Sequence, residues 1–442
     1  MSAPVSCPAA FVAAPASGQG KTTVTAAIAR YHRNQGRRVR VFKTGPDFLD
    51  PMILEQASGH PVDPLHLWMV GEAACRAKLH AAAQDADLIL VEGSMGLFDG
   101  DPSGADLAVA FGLPVLALVD AGGMAQTFGA IVHGLATWRP EMPLAGVIAN
   151  RTGSPGHGRM LRDATPDGVH FFGAIQRNEA LSVPDRHLGL VQAGEVADLD
   201  ARLEAAAQAI AEAGVTELPA PVAFAPEADA GAEPDSQPGA ERAPRLDGLR
   251  IGIARDAAFA FTYPGNLEFL RAQGARLEFF SPVAGDRLPE VDAVWLPGGY
   301  PELHLEALAA NTGLKADLAA HHGAGRPILA ECGGFLYLLE ELADRDGHAA
   351  PMAGLLPGHA RLEDKLQGLG LQAAPLSEGE LRGHTFHHTR AEVGVEPLAH
   401  CTRARGAGST GEAVYRDGRL TATYLHAWFP SNPEAAVALF AS

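Results

Sequence analysis

The chain of 442 residues is 47% hydrophobic and 19% charged, which is typical of folded globular domains rather than of disordered proteins. Its length predicts two or three domains, and its formal net charge of −18 argues against nonspecific nucleic-acid binding, which needs a cationic surface. No apolar run reaches membrane-spanning length, and the N-terminal stretch lacks the basic region of a signal peptide. Four cysteines without paired metal-ligand spacing predict a reduced, cytoplasmic protein.

The N-terminal part alternates short apolar runs with stretches of helical pattern. The runs predicted as buried strands are AAFVAAP, RRVRVFKTG, ADLILVEG, LPVLALVD, LAGVIANR and VHFFGAI, and KTTVTAAIARYHRN is one of the helices between them. Strands that are apolar on both sides and alternate with helices are typical of a mostly parallel, doubly wound sheet. We therefore predict an α/β domain over residues 1–215.

The first predicted strand leads into APASGQGKTT, a glycine-rich loop that opens a helix. In a phosphate-binding loop of this kind, backbone N–H groups face the anion, the lysine reaches the terminal phosphates and the hydroxyl side chain binds Mg²⁺. The predicted nucleotide-binding residues are Ser17, Gly18, Gly20, Lys21, Thr22 and Thr23. Pro15 replaces the usual first glycine of the motif, and a partition-type ATPase would carry a further lysine near Pro15 and Ala16. The loop therefore predicts nucleotide binding and argues against the partition class.

Acidic residues and a lysine follow two other predicted strands. KTGPDFLDP puts Lys43, Asp47 and Asp50 at the carboxyl end of the second strand, the edge where open α/β sheets bind ligands. Glu92 comes directly after the apolar run LILV. Because Mg²⁺ is held by carboxylates, hydroxyls and phosphate oxygens, we predict a metal site formed by Thr22, Asp47 and Glu92.

Composition changes between residues 216 and 246, which are crowded with Pro, Ala and Glu and poor in large apolar side chains. Such a stretch is typical of a linker. The part over residues 247–442 then repeats the strand pattern in LRIGIARD, ARLEFFSP, AVWLPGG and RPILAECGG, before hairpin-like sequence near TATYLHAWF. We predict a second domain with a doubly wound, mostly parallel sheet.

ILAECGGF predicts a strand, a sharp turn with Cys332 at its apex, and a helix. This geometry is expected to expose the sulfur above the sheet, and the helix N-terminus is expected to lower the thiol pKa. A nucleophilic thiolate needs a base and an oxyanion hole. VWLPGGYPEL offers backbone N–H groups at Gly298 and Gly299, and ATYLHAWF offers His426 as the base.

These motifs together are similar to those of a known family. LPGGYPEL, ECGGFLYL and YLHAWF resemble a triad-type glutamine amidotransferase domain with a Cys-His pair, of the corrinoid-amidating kind. SGQGKTT, KTGPDFLDP and VEGSMGLFDG resemble the dethiobiotin synthetase-like domain fused to it. Over both domains the chain resembles the a,c-diamide synthases of cobyrinic and hydrogenobyrinic acids, which act in cobalamin biosynthesis.

The resemblance implies a reaction for each domain. Cys332 would form a thioester with L-glutamine, assisted by His426 and by the Gly299 region, and release ammonia. In the other domain ATP and Mg²⁺ would convert a substrate carboxylate into an acyl phosphate, with Lys43, Asp47 and Asp50 at that site. Ammonia would then displace phosphate on the c and a acetate side chains. No nucleic acid or membrane is implied as a partner, and the oligomeric state, a homodimer included, stays open.

One departure concerns the residue two positions after the histidine, where better-known triad glutaminases have an acid and this chain has Trp428. The corrinoid-amidating branch is similar in having a dyad, so what orients His426 stays open. CTP synthases share the two-domain plan but should have that acid. The nickel-sirohydrochlorin a,c-diamide synthases share the motifs and remain an alternative, and a nucleotide-switch ATPase remains a less favoured one.

A further motif, RGHTFHHTR, contains Arg382, His384, His387, His388 and Arg390. Together with LPGHARLEDK, this motif contains several basic and imidazole side chains, although the protein as a whole is acidic. Because no cysteine or acid completes a metal-ligand spacing there, we expect these residues to make structural or interdomain hydrogen bonds. Contact with a corrin carboxylate is a weaker hypothesis.

Overall fold

The structure is a computed structural model and describes residues 4–178, 192, 194, 196, 198–225, 245–405 and 410–441. Over these residues the first sheet has eight strands. The strands are β1 (Val5–Ala13), β2 (Val39–Thr44), β3 (Asp63–Leu65), β4 (Leu88–Glu92), β5 (Val115–Asp120), β6 (Leu144–Thr152), β7 (Phe171–Gln176) and β8 (Pro221–Phe224). Their order is β3-β2-β4-β1-β5-β6-β7, all parallel, and β8 pairs antiparallel with the start of β1. The predicted parallel α/β fold is confirmed.

Helices connect these strands. They are α1 (Lys21–Asn34), α2 (Leu49–Ser58), α3 (Glu72–Asp85), α4 (Gly104–Phe111), α5 (Thr127–Thr137), α6 (Pro155–Ala164) and α7 (Leu199–Glu212). Alternate residues of β1, such as Ala10 and Val12, belong to one apolar cluster with Val24 of α1 and Leu203 of α7. Because β1 and β4 are buried on both faces, their sequences read as continuous apolar runs.

The predicted linker is partly structured. Pro221–Phe224 forms β8, whose residues pair with Val5 to Pro8. Residues 226–244 of the expected linker lie outside the described part of the chain. The chain divides into two units, Met1–Asp235 and Ser236–Ser442, so the first unit extends beyond residue 215.

The second unit contains a seven-stranded sheet in the order β10-β9-β11-β12-β22-β21-β19. These strands are β9 (Arg250–Ala254), β10 (Arg276–Phe280), β11 (Ala293–Leu296), β12 (Ile328–Glu331), β19 (Ala399–His400), β21 (Ala413–Asp417) and β22 (Leu420–Thr423). β10, β9, β11, β12 and β22 run parallel, and β21 and β19 continue antiparallel. The helices are α8 (Pro264–Ala272), α9 (Leu305–Ala310), α10 (Thr312–Gly323), α11 (Gly333–Leu338) and α12 (Pro433–Ala438).

Alternation along β11 places apolar side chains on both faces of this sheet. Val294 and Leu296 join a cluster with residues of α9, α10 and α11. Ala293 and Trp295 join another cluster with residues of α8 and α12. Helices therefore cover both faces, which confirms the predicted doubly wound arrangement.

Two four-stranded sheets complete the described part of the second unit, in the orders β14-β13-β15-β18 and β20-β16-β17-β23. Their strands are β13 (Glu341–Ala343), β14 (Ala349–Pro351), β15 (Gly358–Leu362), β16 (Gly368–Leu376), β17 (Gly379–His387), β18 (Thr389–Val393), β20 (Thr402–Arg403) and β23 (His426–Ala427). β23 carries the predicted base and pairs with β17. Across the described residues of both units, every helix is too short or too polar to cross a membrane.

Candidate active sites

The glycine-rich loop of the first unit connects β1 to α1, and α1 begins at Lys21. Gly18 and Gly20 have φ angles of 75° and 92°, a left-handed conformation that favours glycine. A Cβ atom on Gly20 would also lie 2.7 Å from Asn150 Nδ2. The loop therefore has the strand–loop–helix arrangement of a phosphate cradle, with backbone N–H groups at the start of a helix.

Residues at the ends of β5 and β6 hold this loop. Asn150 Nδ2 donates to the carbonyl of Gln19 at 2.8 Å, and the backbone N–H of Asp120 donates to Gln19 Oε1 at 2.7 Å. Arg151 Nη1 donates to the carbonyl of Gly18 at 3.0 Å and to Asp120 Oδ2 at 2.6 Å. Asp120, Asn150 and Arg151 were not predicted as site residues, although they end the predicted strands LPVLALVD and LAGVIANR.

The ammonium of Lys21 lies within the loop. Lys21 Nζ donates to the carbonyl oxygens of Met95, at 2.6 Å, and Ala16, at 3.5 Å. Burial lowers its pKa, and the neighbouring ammonium of Lys43 lowers it further. This is a cation held where the phosphates of a nucleotide would lie, which suits the predicted role of the residue.

Four of the predicted residues form a hydrogen-bonded cluster. Thr22 Oγ1 donates to Glu92 Oε1 at 2.8 Å, and Lys43 Nζ donates to the same oxygen at 2.7 Å and to Asp50 Oδ2 at 2.5 Å. Asp47 Oδ2 lies 3.8 Å from Lys43 Nζ, while Asp47 Oδ1 accepts the backbone N–H of Leu49 and so caps the start of α2. The structure thus brings together residues from α1, β2, α2 and β4.

Burial and charge set the protonation of this cluster. Lys43 is buried, which would lower its pKa, but the carboxylates of Glu92, Asp50 and Asp47 raise the pKa well above its usual value. Burial raises the pKa of Glu92, and Lys43 opposes that effect. Burial and the neighbouring Asp50 raise the pKa of Asp47 to about 7. Lys43 is therefore charged, and its single positive charge is shared among the three neighbouring carboxyl groups.

The predicted metal shell can be compared with this geometry. Among the described residues no three or more His, Cys, Asp or Glu side chains are arranged to hold a metal ion by themselves. Thr22 and Glu92 nevertheless supply the hard oxygen donors that Mg²⁺ prefers, and Glu92 Oε2 is buried without a hydrogen bond from the described residues. Thr22 and Glu92 therefore fit Mg²⁺ together with phosphate oxygens, whereas Asp47 is engaged in capping α2.

A solvent-open cleft adjoins the glycine-rich loop. It is lined by residues of α1 and α7, of the end of β6, and of the end of β7 with the residues that follow it. Thr23 and Ala27 lie on one side, and Asn150, Arg151 and Arg177 on another. Its mixture of apolar walls and polar groups is typical of a small-molecule site.

The turn at Cys332 has the predicted strand–turn–helix form. β12 ends at Glu331, Cys332 has φ 44° and ψ −104°, and α11 follows at once. Few residues other than glycine adopt such a positive φ, so the conformation is strained and typical of a nucleophile at a sharp corner. A Cβ on Gly334 would lie 2.0 Å from the carbonyl oxygen of Leu296, so the turn depends on that glycine.

The predictions of an exposed sulfur and of a lowered thiol pKa were wrong. Cys332 is only 5% exposed and belongs to the apolar cluster that contains Phe335 and Tyr424. Burial raises its pKa well above the usual value, and the carboxylate of Glu302 adds to the effect. Desolvation of the charged form outweighs the one hydrogen bond that the helix start supplies from Gly333.

Gly298 and Gly299 lie between the turn and the histidine. A Cβ on Gly298 would lie 2.1 Å from Cε1 of His426, and a Cβ on Gly333, next to Cys332, would lie 2.8 Å from the backbone nitrogen of Gly299. The nucleophile turn and the imidazole therefore contact the same dipeptide. This places the predicted base, oxyanion donors and nucleophile in one site.

His426 is buried and surrounded by rings. Its imidazole stacks on His384 with centroids 5.1 Å apart, and His384 Nδ1 is hydrogen-bonded to Tyr263 at 2.9 Å. Burial lowers the pKa of His426 to about 3, with a smaller contribution from His387. The imidazole is therefore neutral at physiological pH and able to accept a proton. Trp428 is buried against Tyr263, so an apolar ring occupies the position of the acid in other glutaminases.

The histidine-rich motif makes structural contacts within the second unit. His387 is hydrogen-bonded to the carbonyl of Thr389 at 2.8 Å, lies 3.3 Å from Glu412 Oε1 and stacks on Tyr424. This agrees with the structural alternative for the motif. Two buried acids of this unit, Glu302 and Glu331, were not found from the sequence, although Glu331 ends an apolar run beside the cysteine.

Both halves of the chain match the sequence models of known protein families. Residues 10–191 match the CobQ/CobB/MinD/ParA nucleotide binding domain, and residues 250–434 match the CobB/CobQ-like glutamine amidotransferase domain. The chain is 58% identical over 435 residues to the hydrogenobyrinate a,c-diamide synthase of Stutzerimonas stutzeri, with 98% of each chain covered. The chain belongs to the a,c-diamide synthase family.

Two further members of the a,c-diamide synthase family show the same likeness. The hydrogenobyrinate a,c-diamide synthase of Pseudomonas aeruginosa is 57% identical, with 98% of each chain covered. The cobyrinate a,c-diamide synthase of Herminiimonas arsenicoxydans is 50% identical over 426 residues, which is 96% of this chain and 94% of that one. The chain is therefore a glutamine-dependent, amide-forming ligase with a nucleotide-binding P-loop domain.

Proposed function

We propose that this protein amidates the a and c acetate carboxylates of hydrogenobyrinic acid or cobyrinic acid, using ATP and L-glutamine, in the cytoplasm. The observation that carries the proposal is the 58% identity, over 98% of both chains, to a hydrogenobyrinate a,c-diamide synthase. The two sites described above supply the groups that such a reaction needs. One releases ammonia and the other activates a carboxylate.

The second unit hydrolyses glutamine. The Cys332 sulfur attacks the side-chain amide carbon of glutamine, and the oxyanion that forms accepts hydrogen bonds from the backbone N–H groups of Gly298 and Gly299. His426 takes the thiol proton and gives it to the departing nitrogen, so that ammonia leaves and a thioester remains. Water then cleaves the thioester, releasing glutamate and restoring the thiol.

The resting pair is neutral. Burial raises the pKa of Cys332 and lowers that of His426, so the thiol keeps its proton and the imidazole stays uncharged. Proton transfer therefore accompanies attack on bound glutamine, when the developing charges have partners in the oxyanion donors. A thiol that stays protonated between turnovers reacts slowly with oxidants and electrophiles.

The first unit binds the nucleotide. The loop glycines Gly18 and Gly20 present backbone N–H groups to the phosphates, and Lys21 exchanges its carbonyl contacts for the terminal phosphates. Thr22 and Glu92 would hold Mg²⁺, which when bound neutralises phosphate charge. Ser17 and Thr23 complete the loop, and the cleft lined by Thr23 and Asn150 takes the nucleoside.

The substrate carboxylate becomes an acyl phosphate. A free carboxylate resists attack by ammonia because its oxygen is a poor leaving group, and transfer of the terminal phosphoryl group of ATP removes that obstacle. Lys43, held by Glu92 and Asp50, lies where a cation can offset the charge of an acid brought next to ATP. Ammonia attacks the carbonyl carbon, phosphate leaves and the amide forms.

An amidation assay with the purified protein tests this proposal. Hydrogenobyrinic acid and its cobalt-bearing counterpart are each incubated with ATP, Mg²⁺ and glutamine, and the products are analysed by mass spectrometry. We expect replacement of two hydroxyl groups by amino groups on at least one of the two macrocycles. Nickel-sirohydrochlorin serves as the comparison substrate, and exclusive turnover of that macrocycle would contradict the proposal.

A further inference from the structure

Glu331 connects the parts of the glutaminase site. It is the last residue of β12, it precedes Cys332, and it is 2% exposed. Its Oε1 accepts the backbone N–H of Ala427 at 2.8 Å, and its Oε2 accepts Trp295 Nε1–H at 2.9 Å. One carboxylate therefore joins the strand before the nucleophile to the residue after His426 and to the strand that leads to Gly298.

β23 needs such a connection. It pairs with β17 in a small sheet, whereas β12 and β11 belong to the central sheet. The carbonyl of Ala427 accepts Asn266 Nδ2–H at 2.8 Å, and Asn266 Oδ1 accepts the N–H of Phe429 at 2.8 Å. The backbone after His426 is thus held from the central sheet by the carboxylate of Glu331 and from α8 by the amide of Asn266.

We propose that Glu331 is a positioning residue that fixes the His426 imidazole relative to Cys332 by holding the backbone of β23. This inference rests on the proposed glutaminase activity and extends it, because position 428 offers no acid to orient the imidazole. An acid before the nucleophile replaces the acid after the histidine, and it acts on the backbone instead of the ring.

The chemistry of the carboxylate supports this role over simple packing. A buried acid without a basic partner is costly, and burial raises the pKa of Glu331 to about 7 despite two N–H donors. An apolar side chain would fill the same space at lower cost. What only a carboxylate offers is two acceptor oxygens for two N–H groups that approach from different strands.

This acceptor count defines a specific experiment with three variants. In Glu331→Gln, one oxygen becomes an NH₂ group that faces an N–H donor, so one hydrogen bond is lost and two donors oppose each other. Trp295→Phe removes the indole N–H. In the double variant, the amide NH₂ of residue 331 can face the Phe ring. The amide oxygen then accepts the backbone N–H of Ala427, so the hydrogen bond that positions β23 is kept.

We expect kcat for glutamine hydrolysis to fall about tenfold to a hundredfold in Glu331→Gln, with KM for glutamine little changed, because one buried donor is left unsatisfied. Trp295→Phe should lose less, because the bond from Ala427 remains. In the double variant, log kcat for glutamine hydrolysis should recover at least about half of the decrease caused by Glu331→Gln. Active sites are counted in each case by alkylation with a diazoketone analogue of glutamine.

The rescue separates positioning from stability. If Glu331 acted only on stability, Glu331→Gln would lower the number of counted active sites but leave kcat per counted site unchanged, and the double variant would have no loss of kcat to recover. That result would overturn the inference. Wild-type protein without any glutaminase activity would instead contradict the proposed function, and ammonium-driven amidation reports separately on the first unit.

Discussion

The imidazole of His426 lies directly against Gly298, so closely that a Cβ at position 298 would be 2.1 Å from Cε1. A predicted oxyanion donor and the predicted base are therefore in van der Waals contact. The site has no space for a side chain at this glycine. The requirement comes from the neighbouring ring, because φ of Gly298 lies outside the left-handed range.

Gly298→Ala should displace the ring of His426 and abolish most glutamine hydrolysis. We expect kcat to fall by at least about a hundredfold, because a shift of one ångström in a catalytic group costs that much. The measurement is glutamate release by the purified variant. Gly323→Ala is the matched control, because a Cβ there meets nothing within 4 Å. Equal activity in both variants would contradict the placement of His426.

Cys332→Ser should lose glutamine-driven amidation and keep activity with high ammonium. The hydroxyl is a far weaker nucleophile than the thiol in this site, whereas free ammonia needs no glutaminase. Diamide formation is measured with each nitrogen source. Glutamine-driven activity that survives the change would exclude Cys332 as the nucleophile, and a nucleotide switch would have no glutaminase to lose.

Lys21→Ala should abolish amidation with both nitrogen sources, because the acyl phosphate cannot form without stabilisation of the transferred phosphoryl group. Product formation with glutamine and with ammonium is compared with that of Lys365→Ala, a change at an exposed lysine of the second unit. If ammonium-driven amidation persists in Lys21→Ala, ATP does not activate the acid through this loop.

Lys43→Met should destabilise the first unit as well as inactivate it. The change leaves Glu92, which is fully buried, without its cation, and breaking a buried ion pair costs about 3–5 kcal/mol. Adding Glu92→Gln removes the uncompensated charge, so the double variant should regain part of the stability but none of the activity. Chemical denaturation of both variants measures this. A double variant less stable than Lys43→Met would contradict the charge pairing.

Glu302→Gln should stabilise the second unit at pH 8 but not at pH 5. Burial raises the pKa of Glu302 from 4.5 to about 7, so the folded state holds a proton that the unfolded state releases between these values. Wild-type stability therefore falls as pH rises through this window, by on the order of 3 kcal/mol, and the amide removes the dependence.

Calorimetric melting of the full chain at both pH values tests this expectation. Glu306→Gln, at an exposed position of the following helix, is the control for replacing a carboxyl group by an amide. A gain in melting temperature for Glu302→Gln that is the same at both pH values would show that Glu302 is not protonated on folding.

Local patterns predicted the strand–turn–helix units well. Gly18, Gly20 and Lys21 follow a buried strand, and Cys332 sits between an apolar run and two glycines, so short-range sequence was enough to place both turns. The parallel sheets followed from apolar runs that alternate with helices. These features depend on residues that are close in the chain.

Long-range packing accounts for what the sequence did not predict. The exposure of Cys332 depends on Phe335, Tyr424 and other residues that cover it, and its pKa follows that burial. Asn150 and Arg151 contact the P-loop across 131 and 133 positions of sequence. β8 was taken for linker because its four residues gain their order from pairing with β1.

The pairing of β8 with β1 matters when the two units are produced as separate proteins. Cutting the chain at residue 215 would strip Val5 to Pro8 of their antiparallel partner and leave a row of unpaired amides at the N-terminus. Such an exposed row invites pairing between molecules and precipitation. A stand-alone ATPase fragment should therefore be cut beyond Phe224.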